Sequence, residues 1–241
     1  ERNRIKPIAA GLAVLRLLRD PDDTGQVFKV LEALRGDSLG RGYRRLASDS
    51  AGRAVLARRP KIVDSLNNRE SLAAMPTGSI GRAYFEFVHA EGLRADELID
   101  SSEQAPRFDK LSSGEVWLAE YLRDIHDLQH VMTGYGRDQL GELCLLSFMT
   151  TQTPSRGLDF IIFMARQKYR IEQPEAHGLL RDLVREGADI GRGATWMPLV
   201  DWREKLQEPL NALRDELGFR PPELYYALRG KMPGLSNQQP V

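Results

Sequence analysis

Apolar residues recur at helical spacing along most of this 241-residue chain, and this periodicity constrains its fold more than any other feature. After Pro7, for example, apolar side chains stand at positions 8, 12, 15 and 18, on one side of a helix. β-Branched runs are few, and neither an Asn-Gly nor an Asp-Gly hairpin dipeptide occurs. The pattern predicts an all-α protein. We expect a single multi-helix domain over residues 1–241, with a flexible tail at 233–241.

Proline, glycine and capping residues set the predicted helix boundaries. A break at residues 40–42 precedes a predicted helix over 43–59. The Ser-x-x-Glu sequence at 112–115 is typical of a helix start, and it leads into a long predicted helix over 116–133. The glycines of 134–136 end that helix, and another is predicted over 137–149.

Charge and cysteine content exclude several classes of function. Basic and acidic residues number 34 each, so the net charge is zero and we expect no nucleic-acid partner. Cys144 is the only cysteine, which excludes a disulfide within the chain and a cysteine-based zinc site. The apolar stretch at 8–18 is too short to span a bilayer.

Two of the four histidines form the sequence His126-Asp127-Leu128-Gln129-His130. On a helix of about 100° per residue, Asp127 lies about 100° and His130 about 40° around the axis from His126. Two imidazoles and a carboxylate are ligands that Zn²⁺ or Fe²⁺ accepts. The alternative is that these residues are solvated on a surface helix, with Asp127 paired to Arg123.

A further ligand is expected from the next helix. Eleven residues, including Gly134 and Gly136, separate His130 from Glu142, and this span allows a reversal of the chain. Because the residues around Glu142 are largely apolar, an unpaired carboxylate would be costly to bury there, and a metal would satisfy it. Glu142 on a solvent-facing stripe is the alternative.

The sequence resembles the COQ-four family of ubiquinone (coenzyme Q) biosynthesis. The pattern from His126 to Glu142 is similar to the zinc motif of that family. Four further stretches resemble other parts of the family pattern: residues 76–84, 123–125, 202–206 and 209–222. The resemblance is strongest over residues 75–225.

The resemblance implies an all-helical peripheral membrane protein that binds a polyprenylated quinone precursor, or another isoprenoid lipid, and works with other quinone-biosynthesis enzymes. It also implies that His126, Asp127, His130 and Glu142 are the metal ligands and catalytic residues. Zn²⁺ is the favoured metal, with Fe²⁺ or Mn²⁺ as alternatives. The implied reaction is the oxidative removal of the ring C1 carboxyl group, by a lyase or oxidoreductase. The alternative is a non-catalytic lipid-binding scaffold of the biosynthetic complex.

A polyprenyl tail needs a long apolar groove. We expect Phe148, Met149, Phe160 and Phe163 to line it, with Arg166 at an anionic headgroup. Ordinary core packing is the alternative for each of the apolar residues, since apolar helical stripes are usually core.

The expected cellular location is inferred from the first residues of the sequence. No mitochondrial presequence is visible, so a bacterial protein on the cytoplasmic face of the inner membrane, or in the cytoplasm, is expected. In a eukaryote the matrix side of the mitochondrial inner membrane is expected instead. The helix at 8–19 either lies on the membrane surface or packs on the domain. A homo-oligomer is compatible with the sequence, although no seam for it is evident.

Two other metal enzymes remain open. Carboxylate–histidine pairs at i, i+3 spacing allow a di-iron oxygenase built from Glu86 and His89, Asp127 and His130, Glu120 and Glu142. A phosphohydrolase of the HD type would use His89 with His126 and Asp127, but it would leave His130 and Glu142 without a role.

Overall fold

A computed structural model describes residues 5–20, 23–90 and 111–231. These residues form fifteen α-helices and two 3₁₀ turns without a β-strand, which confirms the all-α prediction. In chain order the helices are α1 (Pro7–Arg19), α2 (Thr24–Leu34), α3 (Ser38–Ser48), α4 (Ser50–Arg58), α5 (Ile62–Leu66), α6 (Arg69–Ala73), α7 (Ile80–Ala90), α8 (Ser113–Asp124), α9 (His126–Thr133), α10 (Gln139–Gln152), α11 (Arg156–Glu172), α12 (His177–Gly193), α13 (Trp202–Lys205), α14 (Leu210–Glu216) and α15 (Glu223–Leu228). The predicted tail at 233–241 lies outside the described residues.

The predicted helix at 43–59 is divided into α3 and α4 at Asp49. Asp49 has an extended backbone, and its side chain accepts two backbone N–H groups from the first turn of α4. The predicted break at 40–42 is wrong, because Gly40 and Gly42 lie within α3 and are buried. Both glycines sit where α3 packs against α8, so their lack of a side chain serves helix packing rather than a turn.

The predicted helix at 116–133 is also divided. It forms α8 and α9, which meet at Ile125, a fully buried residue with φ −87° and ψ 3°. The start of α8 follows the sequence signal, since Ser112 and Glu115 form a capping box. The division makes His126 the first residue of its own helix.

One large apolar core extends from α3 to α15, and α9 runs through it. Every residue of α9 after His126 is buried. Beside it, α10 packs closely along α12. Gly187 permits this approach, since a Cβ there would collide with the backbone carbonyl of Cys144. The polar residues of α9 and α10 are therefore held between well-packed helices.

A smaller apolar cluster joins the hairpin of α1 and α2 to α11. Ala13, Val14 and Leu17 of α1 pack against Val30 and Ile161. The opposite side of α1 is exposed and also apolar. Among the described residues, no helix combines the length and the apolar character needed to cross a bilayer.

Candidate metal centre

The metal motif lies on two consecutive helices, α9 and α10. Gly134 ends α9 with a left-handed backbone, φ 82°, which is a conformation that favours glycine. Asp138 then begins α10, where its side chain accepts the backbone N–H of Gly141 at 3.0 Å. These two local signals reverse the chain and return Glu142 to the histidines of α9.

His126, His130 and Glu142 form a compact group. Each offers one ligand atom, and the three atoms lie within 4.8 Å of one another. Nε2 of His130 is 3.3 Å from one carboxylate oxygen of Glu142, and Nε2 of His126 is 3.9 Å from the other. This is the one group of three or more potential ligands found among the described residues.

The hydrogen bonds of His130 determine which nitrogen is free to bind a metal. Its Nδ1 lies 3.0 Å from the backbone carbonyl oxygen of Tyr135, which can only accept, so Nδ1 must donate. In the neutral ring, Nε2 therefore carries the lone pair. That atom is buried and has no partner with hydrogen-bond geometry, although Glu142 faces it. A lone pair facing a carboxylate requires a cation or a proton between them, so these residues fit a metal.

Asp127 contacts the opposite edge of the His126 ring. Its Oδ1 is 3.2 Å from Nδ1 of His126, whereas Nε2 of the same ring faces Glu142. The structure thus brings three of the four predicted ligands together and places Asp127 as a hydrogen-bond partner of one of them. A carboxylate in this position fixes the tautomer and orientation of a ligating histidine. Direct ligation by Asp127 stays a prediction.

Electrostatics couple the members of the group. Burial raises the pKa of Glu142, but the charges of His130, His126 and Arg137 lower it below its ordinary value. Burial lowers the pKa of His126, yet the hydrogen bond to Asp127 and the charge of Glu142 raise it above its ordinary value. Both shifts describe an imidazolium facing a carboxylate, and a divalent cation can replace the shared proton.

Three contacts of the site were not predicted from the sequence. The Tyr135 carbonyl orients His130, the ring of Phe87 stacks on His130 with centroids 5.3 Å apart, and Nε of Arg137 lies 4.0 Å from Glu142. The Arg137 contact could have been predicted from the sequence, because Arg137 lies in the loop that joins the two helices of the metal motif. The packing of Phe87 comes from a distant helix, α7, and has no local signal.

The predicted substrate-binding residues lie in different parts of the molecule. Phe148 is fully buried in the large core, against which Met149 also packs. Phe160 packs on the smaller cluster, Phe163 is 54% exposed, and Arg166 is half-buried. Substrate contact by these five residues stays a prediction.

The residues needed for a second metal lie apart from the group. Glu86 is exposed and forms an ion pair with Arg82 at 2.7 Å, and His89 is exposed and stacks on Phe85. Glu120 is exposed as well. The described residues therefore offer ligands for one ion, which disfavours both the di-iron site and the HD-type phosphohydrolase.

The sequence is similar to those of proteins of ubiquinone biosynthesis. The chain is 28% identical over 183 residues to the "Ubiquinone biosynthesis protein COQ4 homolog, mitochondrial" of Rattus norvegicus, covering 73% of this chain and 64% of the rat protein. It is 30% identical over 187 residues to the "Ubiquinone biosynthesis protein coq4, mitochondrial" of Penicillium rubens, covering 74% of this chain and 60% of that protein. The chain thus spans less than two thirds of both relatives.

A crystal structure from Nostoc punctiforme, of a protein described as belonging to ubiquinone biosynthesis, has a similar fold. Its TM-score is 0.65 at 19% identity, and the match covers 89% of this chain and 99% of the Nostoc chain. A family model described as "Coenzyme Q (ubiquinone) biosynthesis protein Coq4" matches residues 6–223. Because that match covers most of the sequence, this chain belongs to the Coq4 family of coenzyme Q (ubiquinone) biosynthesis proteins.

Proposed function

We propose that this chain is a metal-dependent protein of ubiquinone biosynthesis that acts on a polyprenylated aromatic precursor and removes its C1 carboxyl group. His126, His130 and Glu142 hold one divalent ion, with Zn²⁺ favoured and Fe²⁺ or Mn²⁺ accepted by the same nitrogen and oxygen ligands. The observation that carries the proposal is the buried Nε2 of His130, which lacks a hydrogen-bond partner and faces Glu142 at 3.3 Å.

Three protein ligands suit a catalytic site. Structural zinc sites use four protein ligands, whereas catalytic sites use three and leave one position for water or substrate. When bound, the ion supplies Lewis-acid stabilisation of negative charge on the carboxylate and phenolate oxygens of a 4-hydroxybenzoate-type ring. The side chains hold this arrangement: Asp127 orients His126, the Tyr135 carbonyl orients His130, and Phe87 covers the ring of His130.

The exposed side of α1 supports work at a membrane surface. Ile8, Leu12 and Leu15 are exposed at helical spacing, and Arg16 and Arg19 are exposed beside them. An apolar stripe next to basic residues is typical of a helix that lies in the interface of a membrane containing anionic lipids. The isoprenoid precursor resides in that environment, and we expect the other enzymes of the pathway to meet the protein there.

A non-catalytic scaffold is the second candidate. The group joins α9 to α10, so an ion held there would brace two helices of the core. On that hypothesis, loss of the ion destabilises the protein as much as it impairs the pathway. On the catalytic hypothesis, a variant such as Glu142→Gln impairs the pathway while most of the protein stays folded.

The decisive experiment is metal analysis of untagged protein. We expect one equivalent of zinc in the wild type and in the control His177→Ala, whose histidine is outside the group. His130→Ala should contain none, and Glu142→Gln, which keeps the side-chain volume, should contain much less. Circular dichroism checks that each variant is folded. Metal-free wild type that stays folded and binds prenylated lipid would contradict metal dependence, and two equivalents of iron would favour the dinuclear oxygenase.

A second experiment separates catalysis from scaffolding. Glu142→Gln is expressed in a strain that lacks its own homologue, beside the wild type, and protein levels are matched. Accumulation of the carboxylated ring precursor at normal protein levels supports a direct role in decarboxylation. Parallel loss of the protein and of all late intermediates supports the scaffold.

A further inference from the structure

Arg137 lies next to the metal centre without a hydrogen-bond partner for its Nε atom. It follows Gly136 in the loop between α9 and α10, and its side chain is 29% exposed. The buried Nε is 4.0 Å from Oε1 of Glu142, which is too long for a hydrogen bond. The guanidinium therefore interacts with Glu142 through its charge but forms no hydrogen bond with it.

The carboxylates around Arg137 are already used. Glu142 directs its oxygens toward the two histidines, and Asp127 contacts His126. The neighbouring Asp138 accepts the backbone N–H of Gly141 through one oxygen and contacts the hydroxyl of Tyr225 through the other. No side chain in this part of the described structure forms a close ion pair with Arg137.

Charge balance adds to this argument. Glu142 and Asp127 carry two negative charges, which balance one divalent ion held by the group. Arg137 then adds a positive charge beside the partly exposed Glu142 side chain. A planar carboxylate matches the donor geometry of a guanidinium.

We propose that Arg137 is the residue that binds the carboxylate of the aromatic acid at this site. The guanidinium donates to a carboxylate oxygen and directs the ring toward the histidines. The inference rests on the proposed function, which it deepens by assigning a residue to the group that is to be removed. It also predicts selectivity, because a neutral ring without the carboxylate gains nothing from Arg137.

The test measures ligand binding rather than enzyme activity. 4-Hydroxybenzoate is titrated by calorimetry into zinc-loaded wild type, Arg137→Gln, Arg137→Lys and the control Arg170→Gln, which removes an exposed arginine of α11. A charge-assisted hydrogen bond corresponds to a change in affinity of about 10- to 100-fold. We expect that loss in Arg137→Gln, partial recovery in Arg137→Lys and wild-type affinity in the control.

Two further arms separate this inference from the metal proposal. Zinc content should be equal in the wild type and Arg137→Gln, and 4-hydroxybenzamide should bind both proteins with equal affinity. If no zinc is bound but the zinc-free protein still binds 4-hydroxybenzoate in an Arg137-dependent way, the inference stands and the metal proposal fails. Equal affinity in the wild type and Arg137→Gln, no binding at all, or tighter Arg137-dependent binding of inorganic phosphate would overturn the inference.

Discussion

Replacing Gly141 by alanine tests how the chain returns Glu142 to the histidines. A Cβ at Gly141 would overlap the carbonyl oxygen of Gly136 and lie 2.9 Å from its nitrogen and carbonyl carbon. These are backbone atoms of the loop between α9 and α10, so relief requires the loop to move. The residue that follows is the proposed ligand Glu142, and we expect metal binding to be affected together with stability.

The expected magnitude comes from two opposing effects. Alanine in place of a helical glycine normally stabilises by about 0.5–1 kcal/mol. Overpacking against fixed backbone costs about 1–3 kcal/mol. The overlap at Gly141 should therefore reverse the usual sign and destabilise the protein by about 1–2 kcal/mol. Gly11 in α1 is the matched control, because a Cβ there meets no atom within 4 Å.

Urea denaturation of the zinc-free proteins measures the free energy of unfolding, and chelator competition measures zinc affinity. Gly11→Ala should be more stable than the wild type by about 0.5–1 kcal/mol and bind zinc normally. Gly141→Ala should be less stable than the wild type and should bind zinc about tenfold or more weakly. A loss of this size is typical when residues that support metal ligands are substituted. If Gly141→Ala gains stability like the control and keeps its zinc affinity, the loop does not hold Glu142 in place.

Three other predictions concern the surroundings of the centre. Arg214 donates to the carbonyls of Val131 and Met132 in the last turn of α9, at 2.6 and 3.1 Å. Arg214→Gln should therefore lower the free energy of unfolding, measured in urea, by about 2–3 kcal/mol. A loss below about 0.5 kcal/mol would contradict this. Burial lowers the pKa of His126, but the acidic partners of this histidine raise the pKa above its ordinary value overall. In zinc-free protein, the stabilisation from the His126 charge is therefore complete below about pH 6.5 and is lost as the pH rises through the raised pKa. Because zinc needs the neutral ring, the rise in Tm on adding zinc should grow from about pH 6 to about pH 8, and a pH-independent rise would argue against His126 as a ligand. Cys144 is fully buried, and burial raises the pKa of its thiol. Iodoacetamide should therefore modify Cys144 in urea but not in the native protein. Rapid labelling of the native protein would show that the thiol is accessible.

The site could be predicted where the signals are local. The helical separation of His126 and His130 places both rings on one side of α9, as the sequence indicates. Gly134 and Asp138 act as helix cap residues in the structure, and each is recognisable from its residue type and position. These two caps mark the reversal of the chain that returns Glu142 to the histidines.

The position of Asp127 illustrates a further consequence of the helical geometry. Asp127 is offset by about 100° from His126 around the helix, whereas His130 is offset by about 40°. Its Oδ1 lies 3.2 Å from Nδ1 of His126, and direct ligation by Asp127 stays a prediction. The division at Ile125 was missed, since that turn depends on a side chain buried in the core rather than on a breaker residue.

The predicted groove could not be located from periodicity, because an apolar stripe does not specify its partner. Phe148 lies in the core, where α10 meets α12. The contact is close because Gly191 presents no side chain to the backbone of Phe148. Phe163, fifteen residues later, is on the exposed side of α11. The tertiary packing that separates these residues is not encoded within a single helix.

The burial of the three proposed ligands bears on the choice between a catalytic and a structural ion. The His130 side chain is fully buried, whereas the His126 and Glu142 side chains are 19% and 32% exposed. The His130 end of the group is thus enclosed, whereas the Glu142 end, where Arg137 also lies, is partly exposed. A purely structural ion would gain from a closed set of four protein ligands. Exposure on the side that also carries the Arg137 guanidinium would suit an anionic ligand arriving from outside, and so supports the proposed catalytic role over a structural one.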